Sequence, residues 1–449
     1  MSRRPPQCAL GVALLILSSS AWAGLDQSRK PADAYPSDVA SAWFDTLYDV
    51  VKTERTAPPP ASRIYGITSV ALYESIVGGS MENRSLVGQL NELASLPMPG
   101  RERKYHWPTV ANSVLATVIH RLYPTASQAS GDLINGQEQE FASQFESMVP
   151  APVYARSVAL GQDVANAVLV WAATDGLSDL NNCPYVPAPV PGAWVPTPPA
   201  FNPNPLQPCW GQIRPMVLAS GAECAAPGNP AFSTDRSSEF YAAALDVYNT
   251  GINLTPEQKT IADYWADGAG ATGTPPGHWI AIVGQISRDK GLSLMASAEA
   301  FARVGIAVHD AFIECWNTKY LYNLERPVTY IRDQIDPAWS SYITTPAFPS
   351  YHSGHSTQSG AASTVLTDQL GIVSFTDTTH TDHGLLPPQS PRSFDSFEEA
   401  ADEAAISRLY GGIHYAFDNN DGLASGRCIG GLIHERVEFR YSDGGGERE

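Results

Sequence analysis

Residues 294–327 read LMASAEAFARVGIAVHDAFIECWNTKYLYNLERP, and this stretch decides the fold class. Leu294, Ala298, Phe301, Gly305, Val308 and Phe312 fall at three- and four-residue steps, the spacing of one helical face. The stripe runs directly into Lys319. The same period returns after Ser37 at Val39, Trp43, Leu47 and Val51, with Ala40, Phe44 and Tyr48 beside them. Between Tyr105 and Gly176 further helical patterns alternate with proline-containing breaks, and Ser396-x-x-Glu399 is a capping box opening a helix through Ser407 and Arg408. Strand alternation is rare and no internal repeat is visible. The expectation is an all-α protein of two four-helix-bundle-like halves packed as one unit, with long Pro-rich loops. Its expected parts are a signal peptide at 1–23, an N-terminal helical region at 24–235, a C-terminal bundle at 236–441 and a disordered polar tail at 442–449.

The N-terminal segment reads as a processing signal. Arg3 and Arg4 precede an apolar run from Ala9 to Leu17 and then Ala21-Trp22-Ala23, a small-x-small cleavage site. The run is far shorter than the roughly 20 apolar residues a bilayer span needs, so no stable membrane insertion is expected. Export by the general route to the periplasm or medium follows. Loss of Arg3 and Arg4 takes the formal net charge from −18 to −20, which argues against nucleic acid or anionic membranes as partners.

Cysteine usage agrees with export. Cys8 leaves with the signal and five cysteines remain. Cys183 with Cys209 or Cys224 are disulfide candidates in a loop-rich stretch, while Cys315 and Cys428 fall in helical patterns and read as buried thiols. From Cys183 to Trp210 the chain holds ten prolines in 28 residues, with Trp194, Phe201 and Trp210 interleaved. Two readings stand for this stretch: a linker between domains, or a loop lying on the protein and walling a pocket.

Three short segments carry the chemistry. They are Lys319-x6-Arg326-Pro327, then Ser353-Gly354-His355, then Ser407-Arg408-x5-His414. Two arginine forks, a lysine, a hydroxyl and a backbone N–H at a helix start are the groups that hold a tetrahedral oxyanion. Two histidines add ligand, nucleophile or acid–base capacity. Pro327 is expected to end the helix carrying Lys319, leaving Arg326 in the exit loop. Arg408 and His414 are six apart, about 120° on an ideal helix, so both face one pocket only if the chain bends, and Gly411-Gly412 supplies that freedom. Asp418, one turn beyond His414, either supports that histidine or makes an unrelated salt bridge. The remaining histidines default to surface or core roles, although His380-x-x-His383 beside Asp377 and Asp382 has the makings of a divalent-metal site.

In order and together, these segments resemble the superfamily that joins vanadium-dependent haloperoxidases of the chloroperoxidase-like branch with type-2 phosphatidic acid phosphatases and bacterial acid phosphatases. The resemblance covers about Phe301 to Arg440. One departure is His352, where the family usually has proline. The resemblance implies two chemistries for one pocket. In a haloperoxidase, vanadate is the cofactor and His414 its covalent ligand. Lys319, Arg326, Ser353, Gly354 and Arg408 hold its oxygens, and His355 moves protons as hydrogen peroxide and halide react to give hypohalous acid. A small organic acceptor then takes the halogen. In an acid phosphatase, His414 forms a phosphohistidine and His355 protonates the leaving group; phosphate fits the same cage. Trp316 and Phe348 resemble the aromatic pair of the halide region, and the long N-terminal half also favours the haloperoxidase branch.

Overall fold

The apolar stripes fold as helices. The computed structural model describes residues 30–100, 103–186 and 189–441, so the expected signal peptide (1–23) and tail (442–449) lie outside the described residues. Among those described, the first half holds α1 (Asp38–Thr53), α2 (Pro58–Ile76), α3 (Trp107–Leu122), α4 (Gln128–Glu146) and α5 (Ala151–Ala172). The second holds α6 (Glu239–Ile252), α7 (Pro256–Tyr264), α8 (Thr274–Asp289), α9 (Leu294–Tyr322), α10 (Pro327–Gln334), α11 (Gly354–Leu370), α12 (Thr379–Asp382), α13 (Phe397–Tyr410) and α14 (Ala416–Arg436). The only sheet among the described residues is a hairpin, β1 (Phe375–Asp377) antiparallel to β2 (Arg392–Phe394), with Thr376 opposite Ser393. No helix among them is long and apolar enough to cross a membrane.

Helix α9 is the axis of the molecule. It packs on α1, α2 and α8 on one side and on α11 and α14 on the other. One core cluster therefore runs from Trp43 and Phe44 through Phe301 to Ile429 and Ile433. Phe44 and Phe301 stack at 3.9 Å between centroids. Each large apolar side chain so buried contributes roughly 1.5–3 kcal/mol relative to exposure. Small residues permit the closest crossings. A Cβ at Gly305 of α9 would come within 2.6 Å of Ser69 in α2, and one at Gly426 of α14 would lie 2.1 Å from the Thr357 carbonyl of α11. The second crossing sets the start of α11 against the first turn of α14, where Ser353 N–H donates to the Asp418 carbonyl at 3.0 Å.

Local signals are obeyed with small changes. Ser396 caps α13 by accepting from Glu399 N–H, but the Glu399 carboxylate accepts from Asp395 N–H, so the box is half formed. Ser37 does not cap α1; its hydroxyl reaches the Ser287 carbonyl instead. Pro327 starts α10 rather than simply ending α9, which closes at Asn323 in the left-handed region (φ 51°).

Among the described residues two disulfides form, Cys183–Cys209 and Cys224–Cys428, and Cys315 is a buried free thiol. Cys428 thus corrects the reading of it as a buried thiol. On α14 it falls on the solvent side, between the buried pairs Ser425–Gly426 and Ile429–Gly430, within reach of the loop bearing Cys224. That bridge spans 204 residues of sequence. Cys428→Ser, compared with the parent in guanidinium unfolding, should lose about 3–5 kcal/mol. An unchanged midpoint and slope would show that the bridge contributes nothing to stability.

Candidate active site

The motif-bearing segments meet at a cavity of about 540 Å³. The C-terminal half of α9 brings Phe312 and Trp316, the loop before α11 brings Phe348, and the first turn of α11 brings Gly354 and His355. Arg408 comes from the end of α13, and His414 from the turn before α14. That turn bends as the glycine pair requires: α13 stops at Tyr410 and Gly412 takes a positive φ of 74°. Lys319, Arg326 and Ser353 are fully buried behind the wall.

His414 is held in one tautomer. Its Nδ1 is 2.7 Å from Asp418 Oδ2, and its Nε2 is 3.1 Å from Arg326 Nη1. A guanidinium only donates, so Nε2 carries the lone pair and Nδ1 the proton. Burial, then the charges of Arg326, Lys319 and Arg408, push His414 well below its usual range, so the ring is neutral. Asp418 also accepts from Ser350 Oγ at 2.5 Å, and burial pushes it up to about 6. Of the two readings of Asp418, the geometry supports orientation of His414.

The cations divide by task. Lys319 Nζ donates to the carbonyls of Pro349 (3.1 Å), Ser350 (2.7 Å) and His352 (2.5 Å), pinning the loop before α11. Arg326 donates through Nε to the Phe348 carbonyl at 2.8 Å and through Nη1 to the Ile413 carbonyl at 2.9 Å, leaving Nη2 buried without a partner. Arg408 donates through Nη1 to the Trp265 carbonyl at 2.7 Å and leaves Nε buried without one. Burial pushes Lys319 down to about 8, Arg326 to about 9 and Arg408 to about 10. Buried donors and cations this incompletely matched call for an anion. Ser353 caps α11 by accepting from Ser356 N–H at 3.3 Å, which leaves its own O–H free to donate, and the Gly354 N–H stands at the positive end of the same helix.

The two neighbouring histidines separate sharply. His355 lines the cavity, and burial and then Arg408 push it well below its usual range, so it too is neutral. His352 points into the core, with Nε2 3.2 Å from Glu314 and Nδ1 2.8 Å from Thr357 Oγ1. Burial pushes it down, but Glu314 outweighs this and lifts it to about 10. It is a structural ion pair.

Trp316 and Phe348 both face the cavity, 5.0 Å apart between centroids, and both also pack into a small apolar cluster with Trp210 and Phe312. Arg326 lies over the Phe348 ring at 4.7 Å. Among its described residues the Pro-rich stretch lies on the protein and contributes to the wall rather than forming a free linker. Leu206 lines the cavity, and its carbonyl accepts from Trp316 Nε1 at 3.2 Å and from Tyr320 O–H at 2.5 Å. Trp194 and Trp210 are buried, whereas Phe201 is exposed.

Sequence reasoning missed the segment between α7 and α8. Asp267 lines the cavity and Trp265 supplies a carbonyl to Arg408; the only local signal was the turn dipeptide Asp267-Gly268. The His380–His383 metal reading is corrected. His380 Nε2 donates to the Tyr264 carbonyl and His383 pairs with Asp49, and no group of three metal-type ligands converges among the described residues.

Comparison with known proteins adds to this geometry. The family model "VCPO second helical-bundle domain" matches residues 299–337 and 333–443. The chain is 28% identical over 222 residues to the vanadium chloroperoxidase of Curvularia inaequalis, covering 36% of each chain. It is 33% identical over 159 residues to the vanadium-dependent bromoperoxidase of Ascophyllum nodosum, covering 33% of this chain and 26% of that one. The alignments thus span about a third of these curated relatives or less. A solved bacterial vanadium-dependent iodoperoxidase superposes with a TM-score of 0.84 at 33% identity, over 91% of this chain and 98% of that one. A bacterial vanadium-dependent chloroperoxidase in its holo form shares the fold, with a TM-score of 0.63 at 15% identity over 83% and 90% of the two chains.

Proposed function

The chain belongs to the vanadium-dependent haloperoxidases, and from that premise we propose that it oxidises halide with hydrogen peroxide at the cavity between α9, α11, α13 and α14. The observation that carries this reading is the meeting of a neutral, Asp418-oriented His414 with buried arginine donors that lack partners. These groups fit vanadate. His414 Nε2 would be its ligand, and Arg326, Arg408, the Ser353 hydroxyl and the Gly354 N–H would hold its oxygens. Lys319 adds charge and fixes the loop that presents Ser353. When bound, vanadate supplies a Lewis-acid centre that polarises peroxide toward attack by halide.

The protein's own groups do the rest. Peroxide, halide and one proton give hypohalous acid and water, so a proton must be accepted and returned. Neutral His355 at the cavity wall supports that role. The aromatic and aliphatic wall made by Phe312, Trp316, Phe348 and Leu206 suits a weakly hydrated halide and a neutral hypohalous acid better than a phosphomonoester. Iodide, the most weakly hydrated of the common halides, is the one expected to turn over first, in line with the iodoperoxidase likeness.

The test is to load the purified protein with vanadate and measure peroxide-dependent oxidation of iodide and bromide. Trp316→Ala with Phe348→Ala should cut that rate by about tenfold or more while changing phosphomonoester cleavage by the unloaded protein much less, because only the first reaction uses the apolar wall. Equal losses would reduce the pair to core packing. Brisk phosphomonoester cleavage with no halide oxidation would overturn the proposal.

A further inference from the structure

At the rim of the cavity stands a phenol that the proposed reaction does not use. Asp263, in the last turn of α7, lines the cavity, as do Ile343 and the exposed Thr344 in the loop between α10 and α11. Tyr342 directly precedes Ile343, is 40% exposed, and donates its O–H to Asp263 Oδ2 at 2.9 Å. The segment is fixed to the site. Ile343 N–H donates to the Gly411 carbonyl at 3.1 Å, in the turn between Arg408 and His414, and Ser341 Oγ donates to the Ile343 carbonyl at 2.7 Å. Lys259 Nζ lies 5.8 Å from the Tyr342 ring centroid. The ring is thus held beside the path by which a product leaves.

Hypoiodous acid carries electrophilic iodine, and a phenol ring is the side chain it substitutes at carbon. Three tyrosines are exposed among the described residues, and the other two stand away from the cavity lining. Tyr441, 62% exposed, follows the far end of α14, whose 21 residues span about 30 Å from the His414 turn. Tyr322, 38% exposed, ends α9 and packs edge-on against Tyr351 at 5.1 Å. Trp316, in the cavity wall, is buried, with Nε1 committed to the Leu206 carbonyl. Asp263 prepares the Tyr342 ring. Burial first, and then Asp263, hold the hydroxyl above its usual range, so it remains a phenol. A carboxylate accepting from that O–H raises the electron density ortho to it and is placed to take the proton as the ring is attacked.

We propose, resting on the reading of this cavity as an iodide-oxidising site, that Tyr342 is a site of self-iodination by hypoiodous acid on its way out. The ring carbon ortho to the hydroxyl supplies the electron pair of the new C–I bond, the I–O bond breaks, and hydroxide leaves with that pair. Asp263 takes the phenol proton as the bond forms and returns it when the ring proton leaves. The sum is one C–H replaced by C–I and one water formed. Nothing in the local sequence singles out this tyrosine, since Asp263, Tyr342 and the turn at Gly411 meet only in the folded chain.

The test compares two samples by peptide mass spectrometry. Vanadate-loaded protein turns over peroxide and iodide with excess N-acetyltyrosine present, which consumes acid released to solution. A second sample, without vanadate or peroxide, receives preformed hypoiodous acid. The ratio of iodinated Tyr342 to iodinated Tyr441 should be about tenfold or more higher in the first sample, because acid made in the cavity meets Tyr342 at a raised local concentration. Equal ratios would mean that exposure alone decides the labelling, and would overturn the proposal. So would oxidation of Trp316 in place of Tyr342. Tyr342→Phe should lose the adduct while its initial rate of iodide oxidation stays parental. An adduct that persists on the same peptide of this variant would place the iodine on another side chain and end the assignment. The iodinated N-acetyltyrosine keeps two failures apart. Its formation without an adduct on Tyr342 refutes self-iodination and leaves halide oxidation standing, whereas its absence refutes the functional reading and this proposal with it.

Discussion

His414→Ala abolishes tight vanadate binding, with retention in equilibrium dialysis falling by at least about 100-fold, since even outer partners of a ligand are worth 10–100-fold. The expectation follows from the bonds around this ring. Asp418 accepts the hydrogen bond from Nδ1–H, which leaves Nε2 with its lone pair among three buried cations beside Arg326. Alanine keeps the hydrogen-bond donors of Arg326, Arg408, Ser353 and Gly354 but removes the covalent link. Phosphate, which needs no such link, should compete in the parent and bind the variant nearly as before. Unchanged vanadate retention in the variant would move the ligand elsewhere.

The second large effect is the converse. His355→Ala should keep vanadate but lose about 10² to 10⁴ in turnover, the usual worth of positioned proton transfer. Burial and Arg408 hold the parent ring well below its usual range, so it is in the base form at neutral pH and loses that form only as pH falls through its depressed value. His352, the adjacent histidine, offers no substitute. Its two nitrogens are bound to Glu314 and Thr357, and Glu314 keeps it protonated. Near-parental turnover in His355→Ala, with vanadate still bound, would refute the acid–base assignment.

Much of the fold was legible because its signals are local. The stripe from Leu294 to Phe312 needs only side-chain spacing to bury one face, and α9 forms along it. Ser353-Gly354 reads as a helix start because a hydroxyl and a flexible residue satisfy the first N–H groups, and α11 begins there. Gly411-Gly412 reads as a bend, and the chain bends there. The donor inventory of the site was also legible, since Lys319, Arg326, Ser353, Arg408 and His414 sit in three short segments.

Sequence by itself thus determined an all-helical chain and the set of groups able to hold an oxyanion. Which of those groups is free to do so was decided only in three dimensions. Lys319 is occupied by three carbonyls of the loop before α11, while Arg326 keeps one nitrogen unpaired. His355 faces the cavity and His352 the core, although they lie three residues apart. Cys428 finds Cys224 across 204 residues, and Leu206 closes a wall whose other side begins at Phe312. Asp267, His278 and Asp377 become one ion cluster only when α8 and the hairpin close around the segment between α7 and α8. Helix periodicity is a property of neighbours along the chain. Burial, tautomer and hydrogen-bond partners depend on groups that approach only when the helices pack, and no local pattern records them.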